Sequence, residues 1–283
     1  MTTVTAGALV PVTIRARRPL QVVVAGGFLA LVVVAAVCAP LLAPHAPDAV
    51  DLSASLAGTT SQHPLGTDAS GQDLLSRVLY GARSSLLAPL ALLALAAVLG
   101  VTMGTVAAWR GGWVDTLLSR VTDVMYAFPG LLFVVLVIAV FGDGLTTSIL
   151  ALGLAYAPTI ARYTRSVALA ERSQPYIDAY RVQGMSGARI CVRHLVPNLS
   201  GALIGYLVVL FGEGLMSLAT LSYLGFGAGS PSIDWGLMVQ EGQDAVVQGA
   251  LLPALVPGTA IAAVVVAFNI VGVWVSDRLG HGR

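Results

Sequence analysis

The stretch "YIDAYRVQGMSGARICVRHLVPN", residues 176–198, decides how this chain is read. It carries Asp178, Arg181, Arg189, Arg193 and His194, yet the sequence on either side is nearly unbroken hydrocarbon. Its pattern predicts two short helices. Tyr176 to Gln183 makes the first, with Asp178 in the opening turn, where the helix dipole favours an anion. Gly184 supplies a left-handed C-cap. Ser186 N-caps a second helix over 187–196, which Pro197 and Asn198 end or kink. A merely solvated loop would need neither the caps nor the apolar residues Ile177, Val182, Ile190 and Val192, which on this reading have no core to enter.

The flanks explain why such an insert is unusual. The chain has 283 residues, 57% hydrophobic and 10% charged. A soluble domain of that size needs more charge on its surface. Apolar runs of about 20 residues, the length that crosses a membrane core, recur at 21–42, 84–108, 117–141, 145–165, 199–221 and 251–275. This predicts an all-α integral membrane protein with six spans. All 15 basic residues are Arg. With the N-terminus inside, thirteen fall inside or at the inner boundary, and only Arg77 and Arg83 lie outside. That bias puts both termini and the 166–198 loop on the cytoplasmic side of the cell membrane. No basic tract points to nucleic acid.

Residues 1–19 read as a cytoplasmic tail and 20–283 as one transmembrane domain. The external loop, 43–83, begins as irregular Pro/Ala/Ser/Gly-rich chain. It ends in "SGQDLLSRVLYGARSS", read as a short amphipathic helix at the membrane surface, with Asp73 and Arg77 paired four residues apart. Gly100-x-x-x-Gly104 and Gly201-x-x-x-Gly205 are read as tight helix packing within one subunit. Pro89, Pro129 and Pro158 predict kinks. Cys38 and Cys191 form no disulfide framework. "VAAVCAP" at 34–40 is read as part of an uncleaved span rather than a lipoprotein site.

Chemistry-bearing residues are few. The chain has no H-E-x-x-H, no G-x-S-x-G and no paired membrane carboxylates, so an intramembrane enzyme is disfavoured and no catalytic residue is assigned. No P-loop occurs, so the chain does not itself hydrolyse ATP in the usual way. Asp143 in "FGDG" is read as turn chemistry. Asp123 is read as a local partner of Arg120. His45 and His63 are not spaced as a metal pair, and His63 is read as a turn residue before Pro64, so no metal site is expected. Glu213 sits well inside the fifth span between Gly212 and Gly214, which leave its side chain room to be approached. Lining a pathway and bonding a neighbouring helix are both open for it.

The opening stretch also resembles a known family. Asp178-Ala179, Gly184, His194 and Pro197-Asn198 stand as in the cytoplasmic "EAA" loop of binding-protein-dependent ABC importer permeases. Asp178 replaces the usual Glu, and Tyr180 replaces the usual second Ala. "HPLGTDASGQDLLSRVLYGARSSL", 63–86, is similar to the external segment of C-type permeases of dipeptide, oligopeptide and nickel importers, with Gln72 in place of the usual Arg. "RVTDVMYAFPGLL", 120–132, and "LSYLGFGAGSPSIDWGLMVQEG", 221–242, continue the likeness. Leu218 stands near a position that usually carries Glu.

The resemblance implies the type I importer permease fold, with a coupling helix that enters a groove on an ATPase subunit. It implies a heterodimer with a homologous B-type permease, two cytoplasmic ABC ATPases that bind ATP and Mg, and an external substrate-binding protein. The chain itself would bind no cofactor. Alternating access would carry short peptides, with nickel chelates or haem-like cargo as alternatives and a membrane scaffold as a further one. Coupling would fall to Tyr176, Asp178, Ala179, Gly184, His194 and Pro197. Receptor docking or the outer gate would fall to His63, Pro64, Gly66, Thr67, Asp68, Asp73 and Arg77. Glu213 is the pathway candidate.

Overall fold

Long apolar runs with few breakers satisfy their backbone internally by becoming helices, and the computed structural model, which describes residues 19–227 and 232–280, is built of them. The expected tail 1–19 lies outside the described residues except for Pro19, as do Arg15, Arg17, Arg18, Arg283 and residues 228–231. Helix α1 runs Leu20–Val37 and breaks at Cys38 before the short α2, Ala39–Leu42. Helix α3 is one 37-residue element, Leu74–Arg110. Helix α4, Gly112–Ala127, and α5, Gly130–Phe141, meet at an angle of 86°. Helix α6 spans Leu145–Arg172, α7 Pro175–Val182 and α8 Gly187–Ile190. A π-turn, Cys191–Leu195, joins α8 to α9, Val196–Tyr223. Two short helices, α10 (Trp235–Glu241) and α11 (Gln243–Val247), precede α12, Leu252–Gly280. No strand occurs among the described residues; Thr67 and Asp73 form an isolated bridge.

Among the described residues, four unbroken helical stretches are long and apolar enough to cross a membrane, and the bent α4–α5 pair makes a fifth if it is one span. The remaining expected span, α6, has the length but is diluted by Thr146, Thr147, Ser148, Tyr156 and Thr159. It packs along α3 instead of presenting a wholly apolar surface. Two close helix pairs frame the bundle. A side chain at Gly100 or Gly104 would lie 2.7 Å from Ala157 O or 2.5 Å from Ala161 O, so α3 and α6 touch backbone to backbone. Gly205 does the same for α9 and α12, where a Cβ would sit 2.5 Å from Ser276 Cα. Both small-residue motifs therefore serve packing inside this chain. The buried core lies among α3, α6, α9, α10 and α12, with Leu92, Ile160, Leu215, Leu221, Trp235 and Val264 at its centre.

Several expectations are corrected. The amphipathic segment at 74–83 is no separate surface helix; it is the beginning of α3, which runs without a break from Leu74 to Arg110. Of the three prolines expected to kink, Pro129 stands at the α4–α5 break, while Pro89 and Pro158 lie within α3 and α6 without ending them. Pro197 and Asn198 do not end the second elbow helix. Proline lacks an N–H, and the π-turn ahead of it shifts bonding to five residues back, Val196 N–H to Cys191 O, so the chain runs on into α9.

Candidate functional site

Three regions collect the polar side chains. The first is the elbow between α6 and α9. Helix α7 stops at Gly184, whose φ of +76° needs no Cβ. Gly184 N–H donates to Arg181 O at 3.0 Å and Met185 N–H to Tyr180 O at 3.1 Å, which closes the turn. Ser186 occupies the N-cap position of α8, but its side chain accepts no capping bond. The apolar residues split into two pairs. Ile177 and Ile190 are 0% exposed, so a core exists for them after all, whereas Val182 is 88% and Val192 75% exposed.

The elbow is clamped from behind. Tyr176 Oη donates to Glu171 Oε1 at 2.7 Å, and Asn198 Nδ2 reaches Tyr176 Oη at 2.9 Å and Glu171 Oε1 at 3.2 Å. One polar knot thus ties the end of α6, the start of α7 and the start of α9. Tyr180 stacks on His194 with ring centroids 4.1 Å apart, which gives the bulky departure from the resembled pattern an internal partner. Arg172 Nη1 donates to Ala108 O at 2.6 Å, and the Arg181 guanidinium lies 5.1 Å over Trp109. A Cβ on Gly187 would lie 2.6 Å from Trp109 Nε1, so this end of α3 supports the elbow directly. Asp178, Ala179, Val182, Gly184, Val192 and Pro197 remain on the exposed side. Asp178 pairs with Arg181 at 3.0 Å across an open surface.

The second region is a lobe at the opposite end, built from the 43–73 loop, the start of α3 and α10. Buried Asp68 accepts Ser70 N–H at 2.8 Å and Gln72 N–H at 2.9 Å through Oδ1, and binds Arg77 Nη1 through Oδ2. Arg77 Nη2 reaches Glu241 Oε2 at 2.6 Å. The expected Asp73–Arg77 pair does not form. Asp73 is the N-cap of α3 and accepts Ser76 N–H at 2.8 Å, and Arg77 is drawn to two carboxylates from elsewhere. Thr67 and Gly66 hold the loop: Thr67 Oγ1 donates to Ala54 O, and Gly66 (φ +81°) would place a Cβ 2.7 Å from Ala57 O. Trp235 bolts α10 to α3 through Nε1–H to Val78 O, 3.0 Å, and N–H to Ser85 Oγ, 3.0 Å. Beside it Asp234 caps α10 by accepting Leu237 N–H at 3.0 Å; burial pushes its carboxyl up, against the pull of that bond. His63, expected as an isolated turn residue ahead of Pro64, meets Asp73 Oδ1 at 3.1 Å and stacks on His45 at 4.8 Å.

The third region is a cavity of about 650 Å³ between α4, α5, α6 and α9. Its lining is largely apolar, with Glu213, Tyr126, Tyr156, Thr159 and Ser217 as polar points. Tyr156 Oη and Ser217 Oγ are 3.0 Å apart, and Tyr126 Oη donates to Thr159 Oγ1 at 2.8 Å. Gly212 and Gly214 do not make room for Glu213. A Cβ on Gly212 would meet Asn269 Nδ2 at 3.2 Å, and one on Gly214 would meet Leu92 at 3.5 Å. The tight contact is at Gly212, towards α12; Gly214 would make only ordinary contact with α3, and Glu213 between them lines the cavity. Nearer the elbow, Asp123 pairs with Arg162 of α6 at 3.1 Å, not with Arg120, and Arg165 forks onto Asp115 at 2.5 and 2.7 Å. Both ion pairs tie α4 to α6.

Sequence reading missed Glu241, Trp235, Trp109, Glu171 and Arg162. Most of their partners lie far along the chain, 164 residues in the case of Arg77 and Glu241, although Glu171 meets Tyr176 only five residues on. Tyr156 and Thr159 carried a usable signal, since they are polar residues three apart in an otherwise apolar run.

Known proteins share this architecture. A putative peptide transport system permease protein of Brucella suis is 39% identical over 251 residues, covering 89% of this chain and 84% of that one. The dipeptide transport system permease protein DppC of Alkalihalophilus pseudofirmus is 34% identical over 244 residues, covering 86% and 80%. The glutathione transport system permease protein GsiD of Escherichia coli is 35% identical over 266 residues, covering 94% and 88%. Among solved structures, a chain of the MetNI methionine ABC transporter in inward-facing conformations shares the fold, with a TM-score of 0.59. That likeness covers 72% of this chain and 96% of the other at 18% identity. Residues 78–282 match the binding-protein-dependent transport system inner membrane components, and the chain belongs to that family.

Proposed function

We propose that this permease forms half of a translocation pathway for short peptides in an ATP-driven importer, working by alternating access. The observation that carries it is the elbow, which is clamped to α3, α6 and α9 from behind and leaves Asp178, Ala179, Val182 and Gly184 open to a partner. An exposed, rigid, partly apolar surface between two spans is what a separate motor subunit needs in order to push. The motor is a pair of cytoplasmic ABC ATPases holding ATP and Mg; this chain hydrolyses nothing. The arginine bias puts the elbow and both chain ends on the cytoplasmic side. The lobe then faces outward, and an external substrate-binding protein docks there. A homologous B-type permease supplies the other half of the pathway.

Peptide cargo is supported by the relatives and by the cavity. A space of about 650 Å³, apolar with a few polar points and one acid, suits a small amphiphilic ligand. Reconstitution of this chain with its partner subunits in proteoliposomes tests the reading. ATP-dependent uptake of labelled di- and tripeptides is expected. Uptake of a nickel chelate or haem with no peptide uptake overturns the cargo. ATP hydrolysis that no cargo or receptor stimulates overturns the coupling. Cysteine pairs between residues 176–197 and the ATPase should cross-link, and their consistent failure to do so overturns the elbow's role.

A further inference from the structure

The lobe brings together His63 and Asp73, two of the expected docking or gate residues, and His45, which the transport reading leaves unused. His45 follows α2, His63 closes the turn before Pro64, and Asp73 caps α3. One ligand atom from each lies within 4.8 Å of the others. Each is fixed through its backbone or its second oxygen. Asp73 Oδ2 is occupied by Ser76 N–H and Oγ–H at 2.8 and 2.7 Å, which leaves Oδ1 directed at His63 Nδ1, 3.1 Å away. Ser76 Oγ in turn accepts His45 N–H at 3.2 Å, so one hydroxyl joins the histidine's backbone to the carboxylate. His63 N–H donates to Thr60 Oγ1 at 2.9 Å, and its carbonyl accepts Thr60 N–H at 2.9 Å and Gly66 N–H at 3.0 Å.

A His63–Asp73 hydrogen bond accounts for one imidazole and not for the second. The exposed His45 ring stacks on His63 at 4.8 Å, inclined by 28°, and bonds to no other described side chain. Asp51 lines the same cleft and adds negative charge. Two imidazoles and a carboxylate, without a thiolate, form a ligand set for Zn²⁺. At Zn–N and Zn–O distances of about 2.0–2.2 Å, tetrahedral ligand atoms stand roughly 3.3 Å apart. The His63–Asp73 spacing of 3.1 Å already matches. His45, on the solvent side, has a ligand atom within 4.8 Å of the other two.

We propose that His45, His63 and Asp73 bind one Zn²⁺ ion, with the fourth position open to water. The ion would pin the segment after α2 and the 60–66 turn to the start of α3.

The test uses the full permease purified with its partner subunits, stripped with a chelator and kept free of nucleotide. Calorimetric titration with zinc chloride should give one saturable site per chain in the micromolar range or tighter. His45→Ala, at an exposed position that leaves the lobe intact, should weaken it by more than about tenfold, because losing a ligand exceeds the roughly 10–100-fold cost of losing a ligand's supporting partner. His63→Ala should do the same. X-ray absorption at the zinc edge should show nitrogen and oxygen neighbours with imidazole scattering and no sulfur. A titration without a one-equivalent site, equal affinity in wild type and His45→Ala, or sulfur at the ion would each overturn the proposal.

Discussion

Two acids behave differently because of where their neighbours leave them. Glu213 lines the cavity and so faces whatever occupies that space. Glu213→Gln keeps the shape and removes the charge. Uptake of peptides with a free ammonium should fall on the order of tenfold or more, since a unit charge pair at 4 Å is worth about 4 kcal/mol at an effective dielectric of 20. Neutral or N-acylated cargo should be little affected, and equal uptake kinetics across cargoes would take Glu213 out of the pathway. Asp234 is caught between its cap and its burial. Its carboxyl is raised, so the stability it contributes is fully present below the ordinary carboxylate range, near pH 4, and is lost as pH rises through the raised value. Asparagine keeps the cap without the buried charge. The thermal midpoint of Asp234→Asn, relative to wild type, should therefore increase from about pH 4 towards neutrality, and a difference that ignores pH would count against this account.

Elements were legible in proportion to how local their signals are. Gly184 could be read because a left-handed C-cap is specified by one residue, and its φ is +76°. Its replacement meets no neighbour within 4 Å, so the penalty is conformational alone. Gly184→Val should cost about 1–2 kcal/mol at the turn and uncouple ATP hydrolysis from uptake while insertion persists. Gly184→Asn, which tolerates the left-handed region, should be milder, and normal coupled uptake in the valine variant would remove the turn from the coupling path. The unbroken run from α8 into α9 was not legible. Proline near a helix start reads as a boundary, and only the π-turn, with Val196 N–H bonded to Cys191 O, shows how the chain runs on through it. The α4–α5 corner was half legible: Pro129 signalled a break, but nothing local in the sequence specifies a turn of 86°.

Across the whole molecule, the pairings that join distant segments carry no sequence signature. Asp73 and Arg77 are four apart and look like partners, but Arg77 instead links Asp68 to Glu241 and so locks α10 against the 43–73 loop. Charge reversal at Asp68 or Arg77 would thus disturb the lobe itself before any docking surface. Arg77→Ala leaves a buried carboxylate unpaired and should destabilise the lobe by about 3–5 kcal/mol. Hydrogen exchange should show 43–73 and 235–247 loosening together while α6 and α9 stay protected, and loosening confined to one segment would argue against the lock.

The unbroken stretch from Gly187 to Tyr223 has 37 residues, and at about 1.5 Å per residue it is roughly 55 Å long. Its foot is the elbow and its far end lies near the lobe. Simple trigonometry then sets the gearing of the machine: a tilt of about 5° at the foot sweeps the far end through about 5 Å, more than the width of a water molecule. If a motor subunit pushes on the elbow as proposed above, a stroke too small to break a single clamp would be enough to open or shut a mouth at the other face.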